Sequence, residues 1–95
     1  MSIKIVIIRR YTDDQKRQIE PILTELYSLV FKYGGFVSGE TLVNYEDPSE
    51  YLIIANWDSV AAWKAYHQAE RVMELCALID TIIGKKTIHR IFRNP

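Results

Sequence analysis

Two runs in this chain, Ile5-Val6-Ile7-Ile8 and Leu52-Ile53-Ile54-Ala55, are apolar at every position. Successive side chains of a β-strand point to opposite faces, so a strand with one wet face alternates apolar and polar residues. These two do not alternate, and a fold built on them must keep water from both sides of its sheet. The chain has little material for the task. Its 95 residues make one domain, and a domain of that size buries only about 60 to 65% of the surface its unfolded form exposes. Disulfides, a structural metal or a partner chain are the usual supplements. Cys76 is the only cysteine and no Cys/His cluster has zinc spacing, which leaves self-association as the natural source.

The remaining elements follow from caps, periods and turns. Ile3 to Arg10 is a β-branched run and reads as a first strand. Thr12 stands three residues before Gln15, the spacing of a capping box, with Asp13 and Asp14 in the first turn. The helix that starts there carries Ile19, Ile22, Leu23, Leu26, Leu29 and Val30 on one face and should stop at Gly34 and Gly35. Pro21 removes one hydrogen bond within it, to the carbonyl of Arg17, and predicts a kink rather than a break.

Phe36 to Tyr45 is a second strand, with Gly39 marking a bulge or a close approach. The turn Glu46-Asp47-Pro48-Ser49 leads into a third strand, Tyr51 to Trp57, as a hairpin. Ser59 caps a short helix reaching about His67, Arg71 to Ile83 is a further helical run stopped by Gly84, and Thr87 to Arg93 is a fourth strand. Strand, helix, strand, strand, helix, strand is the split βαβ, or ferredoxin-like, order of an α+β fold, with helices on one face of a four-stranded antiparallel sheet.

That architecture leaves the second face of the sheet bare. Each large aliphatic side chain is worth roughly 1.5 to 3 kcal/mol on burial, so four facing water would forgo about 6 to 12 kcal/mol, as much as a whole domain's stability. A second copy packed sheet to sheet about a two-fold axis is the expected cover, giving a homodimer with a barrel-like shared core.

Charge bears on partners. Lysine plus arginine and aspartate plus glutamate number twelve each and are mixed along the chain, so no basic stripe points to nucleic acid. In MSIKIVIIRR the apolar run Ile5 to Ile8 is too short for a signal-peptide core or a membrane span. The reading is a soluble cytoplasmic protein without a nucleic-acid or membrane partner.

The wording of the second and third strands adds a resemblance. GFVSGETLVN, the turn EDPSEY and LIIANWDSVAAWKAYHQAE resemble the antibiotic biosynthesis monooxygenase family, through Gly35, Phe36, Ser38, Gly39, Glu40, Thr41, Asp47, Pro48, Trp57, Ser59 and Trp63. The resemblance implies a dimeric α/β barrel with a pocket in each subunit between helices and sheet. Among the activities it implies is cofactor-independent oxygenation of small aromatic or quinol substrates. Haem-degrading members use a first-strand asparagine, and a tryptophan and a histidine on the helices after the third strand. Here IKIVIIRR has no asparagine and ERVMELCALID no histidine, so this branch of the resemblance implies haem binding without degradation. A non-catalytic dimeric module that binds a small ligand is the other alternative.

Candidate site residues come from the segment ANWDSVAAWKAYH. Val60, Trp63 and His67 share a helical face. An unperturbed imidazole near pKa 6.5 suits a general base at neutral pH, so His67 is assigned the catalytic role. The Trp63 ring is assigned to the substrate, while Trp57 reads as core. Asn56 alternates with Trp57, so only one of the two faces the pocket; Asn56 and Phe36 complete the assigned substrate contacts. Phe36, Ser38 and Glu40 fall on one face of the second strand, and Glu40 is assigned an ion pair across the dimer. For Arg9, Arg10 and His89 the strands are apolar on both faces and the phase cannot be read. No metal or cofactor is expected.

Overall fold

The computed structural model describes residues 2–95. Its elements are β1 (Ile3–Arg10), α1 (Asp13–Val30), β2 (Phe36–Val43), β3 (Glu50–Trp57), α2 (Val60–His67), α3 (Glu70–Ile83) and β4 (Ile88–Phe92). The four strands form one antiparallel sheet in the order β2-β3-β1-β4. This is the ferredoxin-like α+β arrangement expected from the element order. None of the helices in the described residues is long and apolar enough to cross a membrane.

Local chemistry places the helix ends. Thr12 accepts from the Gln15 backbone N–H while the Gln15 side chain accepts from the Thr12 N–H, a complete capping box. The Ser59 hydroxyl accepts from the Ala62 N–H at the start of α2. Gly84, at φ +70°, ends α3 in the left-handed region. α1 runs through Pro21 and stops earlier than the glycines suggest, at Val30 with Phe31 as C-cap. Arg17, whose carbonyl loses its helical partner to the proline, is exposed, so water can serve that carbonyl. Gly34 and Gly35, both at positive φ, belong to the turn that follows.

One face of the sheet carries the core. Ile3, Ile5, Tyr51, Ala55 and Trp57 are buried against Ile19, Ile22, Leu26, Val72, Leu75 and Ile79 of the helices. The register pairs Val6 with Ile54 and Ile8 with Leu52 on β1 and β3, and adds Leu42, Ile88 and Phe92 from the flanking strands on the outer face. The central four of these are half-buried by one another, and Leu42, Ile88 and Phe92 are exposed. The two uninterrupted apolar runs thus divide between an inner face packed on helices and an outer face that none of the described residues covers.

The bulge in β2 lies at Val37 and not at Gly39. Phe36 pairs with Trp57 but Ser38 pairs with Asn56, so Val37 is the extra residue. A bulge shifts the alternation by one position. Phe36 therefore faces the helices, while Ser38 and Glu40 face outward, instead of all three sharing a face. At Gly39 an added Cβ would meet only ordinary contacts, about 3.5 Å from the Ile54 carbonyl and the Phe36 ring.

Gly35 is the tighter position. An added Cβ there would overlap the Ala62 side chain, at a φ of +85°, whereas Gly34, at φ +70°, faces open space. Gly34→Ala should cost only the left-handed strain, about 1 to 2 kcal/mol. Gly35→Ala should cost that plus about 1 to 3 kcal/mol of overpacking. Urea unfolding of the two variants checks the order; equal losses would contradict it.

Candidate functional site

Between the helices and the inner face of the sheet lies a cavity of about 290 Å³, near the lower end of the range for small-molecule sites. Its lining is mostly aliphatic and aromatic, with Ile7, Leu23, Leu26, Val30 and Ile53 beside Phe36, Trp57, Trp63 and Tyr66. Exposed Tyr27, Gly39 and Thr41 mark its mouth, and buried Arg9, Tyr11, Trp63 and Tyr66 its depth. The small residues Gly39 and Ala55 face one another across β2 and β3 on this side. Without side chains beyond a methyl there, the sheet leaves room for the cavity.

The aromatic wall is one continuous assembly. Phe36 meets Trp57 edge-on at 5.6 Å between ring centroids, and Trp57 meets Trp63 edge-on at 5.7 Å. The Trp57 indole N–H has no acceptor among the described residues, which costs about 1 to 3 kcal/mol. Tyr66 donates its hydroxyl to the Leu26 carbonyl at 3.3 Å, tying α2 to α1. Trp63 continues the assembly by stacking on His67, at 4.7 Å and 13°. His67 in turn lies 4.6 Å from the ring of His89.

Of the residues assigned from the sequence, His67, Trp63 and Phe36 line this cavity together. Asn56 does not. It points to the outer face, where its side chain accepts from Lys4 Nζ at 2.7 Å and donates to Ser38 Oγ at 3.0 Å. Trp57, its neighbour in the alternation, takes the inner position and is both core and wall. Val60 shares the α2 face with Trp63 in sequence but is 37% exposed; the buried stripe of the helix is Trp63 and Tyr66.

The phase hidden in the sequence is now readable. His89 pairs with Ile7 and so shares its inward direction. Arg9 pairs with Tyr51, also inward. Arg10 points outward, where it pairs with Asp47 and Glu50. Tyr66, Tyr11, Arg9 and His89 are lining residues that sequence reasoning did not assign. The β1–β4 and β1–β3 registers are the signals that would have found the strand residues, and neither is written in a single strand's composition.

Burial sets the charges. It lowers the pKa of His67 below the usual imidazole value. His89 is pushed down to about 4, first by burial and then by the neighbouring His67 and Arg9. Both imidazoles are thus neutral at physiological pH, the state a general base requires. Burial raises Tyr11 to about 12 and raises Tyr66 and Cys76 as well, so these groups stay protonated. Among the described residues no group of three or more His, Cys, Asp or Glu is placed to hold a metal ion.

Because the folded-state pKa of His89 lies below its unfolded value, its contribution to stability is whole above about pH 6.5. It is lost as the pH falls toward about 4 and the unfolded chain takes up the proton first. The carboxylates of Asp47 and Glu25, held below their ordinary values by Ser49 and Arg10 and by Arg71, act in a lower window. The urea midpoint should fall between about pH 7 and about pH 5, and His89→Gln should flatten that fall. An equally steep fall in the variant would assign the titration elsewhere.

Comparison with known proteins agrees with this fold. The model of the family described as antibiotic biosynthesis monooxygenase matches residues 2–77. No curated protein matches the sequence. Among solved structures, a conserved protein from Methanosarcina mazei superposes with a TM-score of 0.87 at 15% identity, over 100% of this chain and 94% of that one. Rv0793 from Mycobacterium tuberculosis gives 0.82 at 8% identity, over 100% and 96%. SnoaB, a cofactor-independent oxygenase from Streptomyces nogalater, gives 0.78 at 14% identity, over 99% and 93%. At these identities the structural likenesses speak to the fold.

Proposed function

The chain belongs to the antibiotic biosynthesis monooxygenase family, and from that premise we propose that it oxygenates a small aromatic or quinol substrate without a cofactor. The observation that carries the reading is a neutral imidazole, His67, stacked on Trp63 at the wall of a cavity lined by aromatic rings. A planar substrate is suited to such walls, since offset and edge-on ring contacts add about 0.5 to 1.5 kcal/mol each beyond burial. That SnoaB, of the same fold, is a cofactor-independent oxygenase supports the reading.

The chemistry asks for a base, a donor for the resulting anion and a dry space. His67 removes the proton of a phenolic hydroxyl. The electron-rich phenolate gives an electron to dioxygen, and the radical pair joins at a ring carbon that bears a hydrogen, para to the oxygen in a phenol or ortho to it in a quinol. Loss of water then leaves a quinone. One phenol and one dioxygen give one quinone and one water, with one oxygen atom in each product and both reducing equivalents drawn from the substrate. Trp63 and Phe36 hold the ring; Asn56, on the other side of the sheet, takes no part in holding it.

Oxygen uptake with a panel of hydroquinones and anthrols tests the reading. His67→Ala should lower the rate by about 10²- to 10⁴-fold, the usual worth of a general base. No uptake above a heat-inactivated control, or uptake unchanged in the variant, would sink it.

The proposed working unit is a homodimer joined through the outer sheet face. Val6, Ile8, Leu52 and Ile54 form the centre of that face, and Leu42, Ile88 and Phe92 extend it across all four strands. A contiguous apolar surface of this kind is rarely left to water. Sedimentation at micromolar concentration should give twice the 11.1 kDa chain mass. Ile54→Lys, which leaves the inner cavity untouched, should give the single mass. A monomeric wild-type protein would contradict the proposal.

A further inference from the structure

One charged side chain points into the cavity and has no part in the proposed reaction; Glu40, the other charged residue at the lining, stands on an outward position. Arg9 is only 6% exposed, yet it lies on a strand whose inward neighbours are Ile5 and Ile7. A buried cation is costly unless it is paired or hydrogen-bonded. Arg9 has one such bond: its Nε–H donates to Thr87 Oγ1 at 3.1 Å. The Thr87 hydroxyl in turn donates to Asp80 Oδ1 at 2.6 Å, and the Thr87 backbone N–H donates to the same oxygen at 3.1 Å. Thr87 thus stands between the guanidinium and the nearest carboxylate, and Asp80 makes no ion pair with Arg9.

A guanidinium carries five N–H donors, and four of those on Arg9 have no acceptor among the described residues. The contrast with the other arginines of the fold is informative. Arg10 and Arg71 each bind two carboxylates on the exposed surface, where such pairs are worth little. Arg90 and Arg93 have no carboxylate partner among the described residues, but both are exposed and water can serve them. Arg9 is the arginine kept from water, and it has none either. Around it stand Tyr11, Tyr66 and Cys76, all of which burial keeps protonated, and His89, which burial keeps neutral. Among the described residues the nearest carboxylate, Asp80, is held behind Thr87, and Glu40 at the cavity's lining sits on an outward position of β2, so neither pairs with Arg9.

We propose that Arg9 is the anion-binding residue of this cavity, and that the ligand it selects is an aromatic monoanion: a planar ring system with a carboxylate or an ionised hydroxyl at one edge. The Nη groups of an arginine fixed through Nε form a planar fork that matches two carboxylate oxygens or one phenolate oxygen. The apolar lining strengthens that attraction, because few waters remain to screen it. Held there by its oxyanion, the ring lies against the aromatic wall of Trp57, Trp63 and Tyr66. This rests on the reading of the cavity as the ligand site but not on its being catalytic.

Calorimetric titration with 2-naphthoate and with its neutral isostere 2-naphthamide, at a pH near 7.5, tests the assignment. The wild-type chain should bind the carboxylate at least about tenfold more tightly than the amide, as expected for charge-assisted hydrogen bonds in a buried site. Arg9→Met, which exchanges a buried charge for an apolar side chain of similar length, should erase the preference while leaving amide binding in place. Arg9→Lys should keep part of it, and Thr87→Val, which removes the Nε acceptor and the hydroxyl's bond to Asp80 but no group lining the cavity, should keep most of it. If Arg9→Met fails to fold, the wild-type preference and its reduction in Arg9→Lys decide the matter.

Equal binding of the two probes, binding of neither, or a preference that survives in Arg9→Met would overturn the assignment. Loss of both probes alike in a folded Arg9→Met would make Arg9 a structural residue and also overturn it. The oxygenase reading fails separately: anion preference without oxygen uptake removes the enzyme and leaves the binding site, whereas uptake without anion preference does the reverse.

Discussion

The rest of the structure depends on a sheet whose two central strands are apolar on both sides. β1 and β3 lie side by side in the middle of the order β2-β3-β1-β4, and their paired residues alternate between a helix-packed face and an uncovered one. The inner alternates, Ile3, Ile5, Ala55 and Trp57, form the floor of the core. The outer ones, Val6, Ile8, Leu52 and Ile54, are half-buried only by one another. With the helices confined to one face, none of the described residues covers the other, and the proposed homodimer would cover it with a second copy. This division of labour also frees the inner face from acting as an interface, so a cavity can open there between helices and sheet.

Much of the fold was legible in the sequence because its signals are local. The Thr12 capping box, the Ser59 cap and the Gly84 stop all act within one helical turn, and each is found where the spacing puts it. The faces of β2 were not legible, since a bulge is a property of two paired strands. Sequence alternation groups Phe36 with Ser38 and Glu40, but the extra residue Val37 turns Phe36 inward and leaves the other two outward. Asn56 failed as a cavity residue for the related reason that alternation names two candidates, and only the packing of Trp57 against Phe36 and Trp63 decides between them.

The cavity treats its ionisable groups in two ways, and the difference is chemical. Histidines, tyrosines and a cysteine meet desolvation by taking their neutral forms, as the displaced values of His89 and Tyr11 show. Arginine cannot: burial lowers its pKa from the ordinary guanidinium value, but it keeps its charge in proteins at neutral pH. The result is a largely apolar, aromatic chamber with a neutral imidazole stacked on Trp63 and a fixed positive charge at Arg9. His67 was legible as a cavity residue from its helical spacing. His89 and Arg9 were not, because β1 and β4 give no phase until they are paired.

If the outer sheet face is stabilised only by a partner, folding and association are one equilibrium, and the apparent stability must depend on protein concentration. The most direct measurement is the urea midpoint over about a hundredfold range of chain concentration. Coupled dimer folding predicts a midpoint that rises steadily with concentration, and Ile54→Lys should abolish the rise. A wild-type midpoint that does not move would show that the sheet stands without its cover and would contradict the account.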